Sequence, residues 1–263
     1  MEVFFRMVAY GWCRGIEDAE LLHKYGFDYI ECPLSALQLE NEVLHQELLR
    51  AYLDSPLPVY AFNVFFPGDI KVVGPDVDPE RIRRYLYRAA RAMNQIGSKI
   101  SVLGSGRARD IPDGWERNRA EDQLLHLLSW ISEEFKGSGV TLAIEPLNKK
   151  ETNLIGSVAE AVHFAKQINH PAIRVLADFY HMDEESEALD TLTVHKDWLA
   201  HIHIADTGRL SPGTGQYPYA EFAAQLTAAG YKGGISAECS LQRLDEELPA
   251  SLTFMKQAFQ RIG

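Results

Sequence analysis

VTLAIEP at 140–146, IRVLADF at 173–179, LAHIHIA at 199–205 and GGISAEC at 233–239 are four short apolar runs, each with an ionisable residue at its end: Glu145, Asp178, His203 and Glu238. A charge closing a strand-like apolar run is costly to bury unless something compensates it. One shared divalent metal ion would compensate all four. Working outward, four further runs have the same length and β-branched or aromatic character: FFRMVAY at 4–10, FDYIEC at 27–32, PVYAFNV at 58–64 and SKISVLG at 98–104. Between the runs lie amphipathic stretches. The clearest are PERIRRYLYRAARAMNQIG at 79–97 and AEDQLLHLLSWISEEFKGSG at 120–139, where apolar residues return every three or four positions and Gly follows the last turn.

Strands that alternate with helices favour a parallel sheet, because a parallel crossover needs a dozen or more residues. About eight such pairs suit a closed barrel; an open doubly wound sheet is the alternative. GWCRGIEDAE at 11–20 lacks the G-x-G-x-x-G fingerprint of dinucleotide-binding sheets, and no Walker-type loop occurs. The expectation is an α/β fold, one (β/α)8 TIM barrel spanning 1–263 as a single domain. The Gly- and Pro-rich segments 104–114 and 208–218 follow the fourth and seventh strands, where such barrels carry functional loops.

A 263-residue chain with 46% hydrophobic residues can bury a sizeable core, and its net charge of −11 argues against a nucleic-acid partner, which would need clustered Lys and Arg. Three cysteines, Cys13, Cys32 and Cys239, are an odd number without metal-type spacing, which fits a reducing compartment. The start MEVFFRMVAYGW has no signal-peptide pattern, and no apolar run approaches the ~18 residues of a membrane span. A soluble, cytoplasmic protein with no membrane partner is expected.

In a barrel strand alternate residues point inward, so Glu145, Asp178, His203 and Glu238 fall at the carboxyl-terminal mouth, where active sites of this architecture sit. Neighbouring strands lie about 4.8 Å apart, close enough for four consecutive strand ends to share one ion. Three carboxylates and one imidazole make a mainly oxygen shell, suited to Mn²⁺ first, or to Mg²⁺ or Co²⁺, rather than to structural zinc. Each residue also has a plainer reading. Glu145 alone is equally a salt-bridged core carboxylate, and Asp178 before FYH is a natural helix cap. His201 and His203 share a face, so one of them can be a hydrogen-bonded core histidine; His203, nearer the mouth, is assigned to the metal. His23, His45, His126, His163, His170 and His195 fall on helices or loops and read as surface residues.

A second set of residues stands at fixed offsets: Glu151 six after Glu145, His181 three after Asp178, and Arg209 six after His203. With these the chain resembles the xylose-isomerase-like barrel superfamily of sugar isomerases and epimerases, and its spacing looks like that of the ketose 3-epimerases (the D-tagatose and D-psicose 3-epimerase family). HIHIADTGRLSPGTG at 201–215 also looks like the seventh-strand loop of many relatives. The resemblance implies that Glu145, Asp178, His203 and Glu238 bind one divalent metal, and that Glu151, His181 and Arg209 contact substrate oxygens. It also implies a homodimer or homotetramer. Asn63 stands where the related three-zinc AP endonucleases have a histidine, which argues against DNA repair.

Arg107 and Arg109 can grip a phosphate or carboxylate, or simply face solvent. Trp12, Trp115 and Phe62 follow or close strands and can wall a sugar's apolar face, with core packing equally open for Phe62. The shared chemistry of the family is proton removal beside a carbonyl, for which Glu145 and Glu238 are the candidate acid and base. The expected function is a divalent-metal-dependent epimerase or isomerase of a ketose or related hydroxy-carbonyl sugar. A hydroxypyruvate isomerase, an inosose dehydratase-like lyase and a non-catalytic sugar-binding protein are the alternatives.

Overall fold

The computed structural model describes residues 8–262. Eight parallel strands, β1 (Ala9–Cys13), β2 (Tyr29–Pro33), β3 (Val59–Asn63), β4 (Ile100–Leu103), β5 (Thr141–Ile144), β6 (Ile173–Asp178), β7 (Leu199–Ile204) and β8 (Gly234–Ala237), pair in chain order. β8 closes on β1 through Ala9↔Gly234 and Trp12↔Ala237, which completes the barrel. The helices are α1 (Ala19–Tyr25), α2 (Glu42–Leu53), α3 (Pro79–Ile96), the single turn α4 (Gly106–Arg109), α5 (Arg117–Phe135), α6 (Val158–Ile168), α7 (Phe179–Glu184), α8 (Thr191–Val194), α9 (Tyr219–Ala229) and α10 (Leu244–Ala258). No helix among the described residues is long and apolar enough to cross a membrane.

The two helices expected most clearly form with their predicted signals. Asp78 caps α3 by accepting from Arg81 N at 2.9 Å, Pro79 occupies its first turn, and Gly97 ends it in the left-handed conformation. α5 begins three residues earlier than its apolar pattern, at Arg117. The first strand departs further. It was expected over 4–10, of which 4–7 lie outside the described residues, and it runs on to Cys13. Gly11 lies just beyond the expected run. It faces the barrel interior, where a Cβ would stand 2.1 Å from the Tyr29 ring, so glycine makes room for that ring.

The interior has two unlike halves. Ala61, Ile100, Val102, Ala143 and Leu176, from β3 to β6, form a compact apolar plug. Facing them from β2, β7 and β8 are Tyr29, Glu31, His201 and Ser236, all fully buried and polar. The intervening residues, such as Ile30, Phe62, Leu142 and Ile202, point outward into the larger core between strands and helices.

Candidate metal centre and active site

Glu145 and Glu238 each sit one residue beyond their strands, fastened by Glu145 N to Leu103 O at 3.3 Å and Glu238 N to Ile204 O at 2.9 Å. Asp178 ends β6 and His203 lies within β7. One ligand atom from each of the four comes within 4.8 Å of the others. His203 Nδ1 lies 3.0 Å from Glu145 Oε1, 3.8 Å from Glu238 Oε2 and 3.9 Å from Asp178 Oδ2. The cap expected of Asp178 forms. Its Oδ1 caps α7, accepting from Tyr180 N at 2.7 Å and His181 N at 3.4 Å, while its buried Oδ2 has no hydrogen-bond partner.

These residues fit a divalent cation on chemical grounds. His203 Nε2 lies 2.9 Å from Glu31 Oε1, and an ionised carboxylate can only accept, so that nitrogen carries a proton. In the neutral ring Nδ1 is then an acceptor facing another acceptor, Glu145 Oε1, and the orphaned Asp178 Oδ2 aims at the same point. A cation bound by one imidazole and three carboxylates would satisfy every one of these atoms.

The electrostatics divide the two glutamates. Burial pushes the Glu145 carboxyl up, against the pull of His203, and the charges of Glu238 and Asp178 push it further. Burial raises Glu238 as well, but His203 and Arg209 outweigh it and hold that carboxyl below its ordinary value. Glu238 is also held by Asn63, whose Nδ2 donates to Oε1 at 2.8 Å, and by Arg209, whose Nη2 donates to Oε2 at 2.7 Å. Arg209 Nη1 donates to Glu151 Oε1 at 2.9 Å. The guanidinium lies over the Tyr180 ring, 5.0 Å from its centroid. His181 Nδ1 accepts from Asn148 N at 3.1 Å, which places its proton on Nε2, and that buried atom has no partner. Two strained backbones border the site, Val64 at φ 42 and Arg209 at φ 60, a conformation costly for side chains of this size and concentrated at functional sites.

A cavity of about 270 Å³ opens here, lined by Glu145, Glu151, Arg209 and Glu238, with Arg107 and Val64 on its wall. Arg107 is exposed there, but Arg109 is not available to a ligand. It is fully buried, with Nη1 donating to Leu103 O at 2.9 Å and Nη2 to Glu145 O at 2.6 Å, and burial lowers its pKa to about 10. Two aromatic assignments are corrected. Trp12 alternates with the inward-facing Gly11 and Cys13, so it points outward into the helix layer, fully buried and edge-on to Phe27. Trp115 lines a separate apolar cleft beside Pro75, Ile82 and Trp130. Phe62 packs on Tyr52 in the core. Of the six histidines read as surface residues, none is buried.

Sequence reading passed over Glu31, which is fully buried and touches both His201 and His203. The signal was present: FDYIEC places a glutamate at the end of an apolar run just as VTLAIEP does. Cys13 Sγ also lies 3.9 Å from His203 Nε2. Burial, then the Glu31 charge, push that thiol well up.

The family model described as the xylose isomerase-like TIM barrel matches residues 19–258. The chain is similar to the 3-dehydro-D-guloside 4-epimerase of Escherichia coli (strain K12), 26% identical over 239 residues that cover 88% of each chain. It is also similar to the L-ribulose 3-epimerase of Methylomonas sp. (strain DH-1), 31% identical over 235 residues covering 86% of this chain and 79% of that one. Among solved structures, that of the D-psicose 3-epimerase of Clostridium cellulolyticum H10 with D-tagatose has a TM-score of 0.82 at 19% identity, covering 96% of this chain and 99% of the other. At that identity the likeness speaks for the fold.

Proposed function

Because the chain belongs to the xylose isomerase-like TIM barrel family, we propose that it is a divalent-metal-dependent epimerase of a ketose or related hydroxy-carbonyl sugar. The observation that carries this reading is the gathering of Glu145, Asp178, His203 and Glu238 around one point, with Glu145 and Glu238 lining a cavity. Glu145, Asp178, His203 and Glu238 would hold the ion, with Mn²⁺ first and Mg²⁺ or Co²⁺ next for a mainly oxygen shell. When bound, such an ion supplies Lewis-acid polarisation of a carbonyl and stabilises the charge that develops on its oxygen.

The chain's own residues divide the remaining work. Glu238, held in place by Asn63 and Arg209, and Glu145 are the two carboxylates for the transfer: one of them removes a proton from the carbon beside the carbonyl. The other returns one. Return from the opposite side inverts the carbon, which is epimerisation. Transfer between adjacent carbons on one side is aldose–ketose isomerisation. His181 offers its Nε2–H to a substrate oxygen, and Arg209 and Glu151 orient hydroxyls at the wall. Arg107 is the one candidate from the fourth-strand loop for an anionic or hydroxyl group of the substrate.

The relatives are 3-epimerases and a 4-epimerase, so the reacting carbon is left to experiment. Deuterium incorporation from heavy water, followed carbon by carbon on several ketoses, keto-glycosides, hydroxypyruvate and inosose, identifies it and separates epimerase from isomerase and lyase. Glu145→Gln and Glu238→Gln are each expected to keep the wild-type circular dichroism and to lose turnover by at least ~10³-fold, as for removal of an acid or base within a proton-transfer pair. Substantial activity in either variant would remove that residue from the chemistry. A cytoplasmic setting and a homodimer or homotetramer belong to the same proposal. The free state of Cys13, Cys32 and Cys239 supports the first, and light scattering tests the second.

A further inference from the structure

Beneath the proposed metal ligands, one buried carboxylate receives three converging donors. Glu31 Oε2 lies 2.8 Å from His201 Nε2 and 2.6 Å from Ser236 Oγ, and Oε1 lies 2.9 Å from His203 Nε2. We propose that Glu31 is a positioning residue that fixes His203 as an Nδ1 metal ligand, holding its ring and tautomer from behind. The inference rests on the metal-centre reading above.

An ionised carboxylate has no proton to give, so each of the three neighbours must donate to it. Ser236 then spends its hydrogen on Glu31 and accepts from Tyr29 Oη at 2.8 Å, which gives the buried network one direction. His201 must carry its proton on Nε2. Its Nδ1 is the buried nitrogen left without a hydrogen-bond partner, which fits a ring whose proton is on Nε2. His203 must do the same, and its Nδ1 lone pair is thereby turned toward Glu145, Asp178 and Glu238.

The result is the carboxylate–imidazole–metal arrangement in which an outer carboxylate sets the tautomer and raises the basicity of a ligating histidine. His201 and Ser236 have a separate task. By occupying Oε2 they keep Glu31 from rotating toward the cation and competing as a ligand. All four residues project from strands of a closed barrel, the most rigid support this fold offers.

The test uses the full chain and Mn²⁺ as the probe. Glu31→Gln replaces one acceptor oxygen by an NH₂ group where three donors converge, so at least one donor meets another donor. Titration calorimetry is expected to show one Mn²⁺ per wild-type chain and, in Glu31→Gln, a dissociation constant raised by about 10–100-fold. kcat at saturating Mn²⁺ is expected to recover toward the wild-type value. Unchanged Mn²⁺ affinity in a folded Glu31→Gln variant would overturn the proposal while leaving the metal centre standing. A wild-type chain that binds no Mn²⁺ would remove the metal centre, and this inference with it.

A second measurement needs no variant. In the ¹⁵N-histidine-labelled, Mg²⁺-loaded wild type, NMR is expected to find the His203 proton on Nε2; a proton on Nδ1 would overturn the proposal even if Glu31→Gln fails to fold. Two ions per chain with a thiolate charge-transfer band in the Co²⁺ form would also overturn it, by making Glu31 a ligand beside Cys13.

Discussion

At the scale of single residues, what a side chain can do here is set by which of its atoms are already spent. Arg107 and Arg109 stand two positions apart in one loop and have opposite roles. Arg109 is fully buried and its donors satisfy the carbonyls of Leu103 and Glu145, so it braces the strand end that carries a proposed catalytic glutamate. Arg109→Met strands both carbonyls and should cost about 2–3 kcal/mol of stability. Arg107→Ala removes an exposed side chain and should stay within about 0.5 kcal/mol of wild type. Chemical denaturation of the two variants side by side checks the contrast. Asn63 carries the same logic into the site. Asn63→Ala deletes the donor to Glu238 and should lower kcat by roughly 10-fold, the equivalent of one hydrogen bond to a charged group, with little change in Tm.

Among the elements, the strands position the site and the helices hold the strands in place. Gly11 shows how narrow the tolerances are inside the barrel: a Cβ there would meet the Tyr29 ring at 2.1 Å, and that ring is enclosed on all sides. Gly11→Ala is therefore expected to destabilise the chain by about 1–3 kcal/mol through overpacking, read as a fall in the denaturation midpoint. The outer layer is more forgiving. Asp78→Ala removes one cap from α3 and should cost about 1 kcal/mol. The first strand runs past the expected 4–10 because Gly11 belongs inside it, at a position where any side chain would collide with the Tyr29 ring.

Over the whole molecule, four buried or half-buried carboxylates, Glu31, Glu145, Asp178 and Glu238, converge on His203, and stability should follow whatever neutralises them. A chelator is expected to abolish activity and lower Tm, and added Mn²⁺ to restore both. An ion present at 100 times its dissociation constant stabilises the folded state by about 2.7 kcal/mol. Acidity should act through Glu31. Burial raises that carboxyl, but the His203 and His201 charges and hydrogen bonds outweigh it and hold it well below its ordinary value in the folded chain. A carboxyl depressed by folding contributes stability above its unfolded pKa of about 4.3 and loses it as pH falls through the folded value. Wild type and Glu31→Gln should therefore differ most from pH about 4.3 up to the pH at which His203, which burial lowers but Glu31 holds well above its ordinary value, loses its charge. They should converge as pH falls below about 4.3, in denaturant titrations of the metal-free chains.

The barrel and the convergence of Glu145, Asp178, His203 and Glu238 at its mouth were legible in the sequence because they rest on a short-range period, whereas the offsets to Glu151, His181 and Arg209 gained meaning only from the resemblance to the ketose 3-epimerases. Strand alternation decides which residues face inward, and a charge at the end of an apolar run marks itself. What only the tertiary structure decided were contacts across the barrel, between residues far apart in the chain. Glu31 and His203 are separated by 172 positions, Asn63 and Glu238 by 175. Whether Trp12 faces the cavity or the helices depends on its lying inside β1 rather than after it, where alternation turns it toward the helices. Local pattern determines the inventory of side chains at the mouth; closure of the sheet determines which of their atoms remain free.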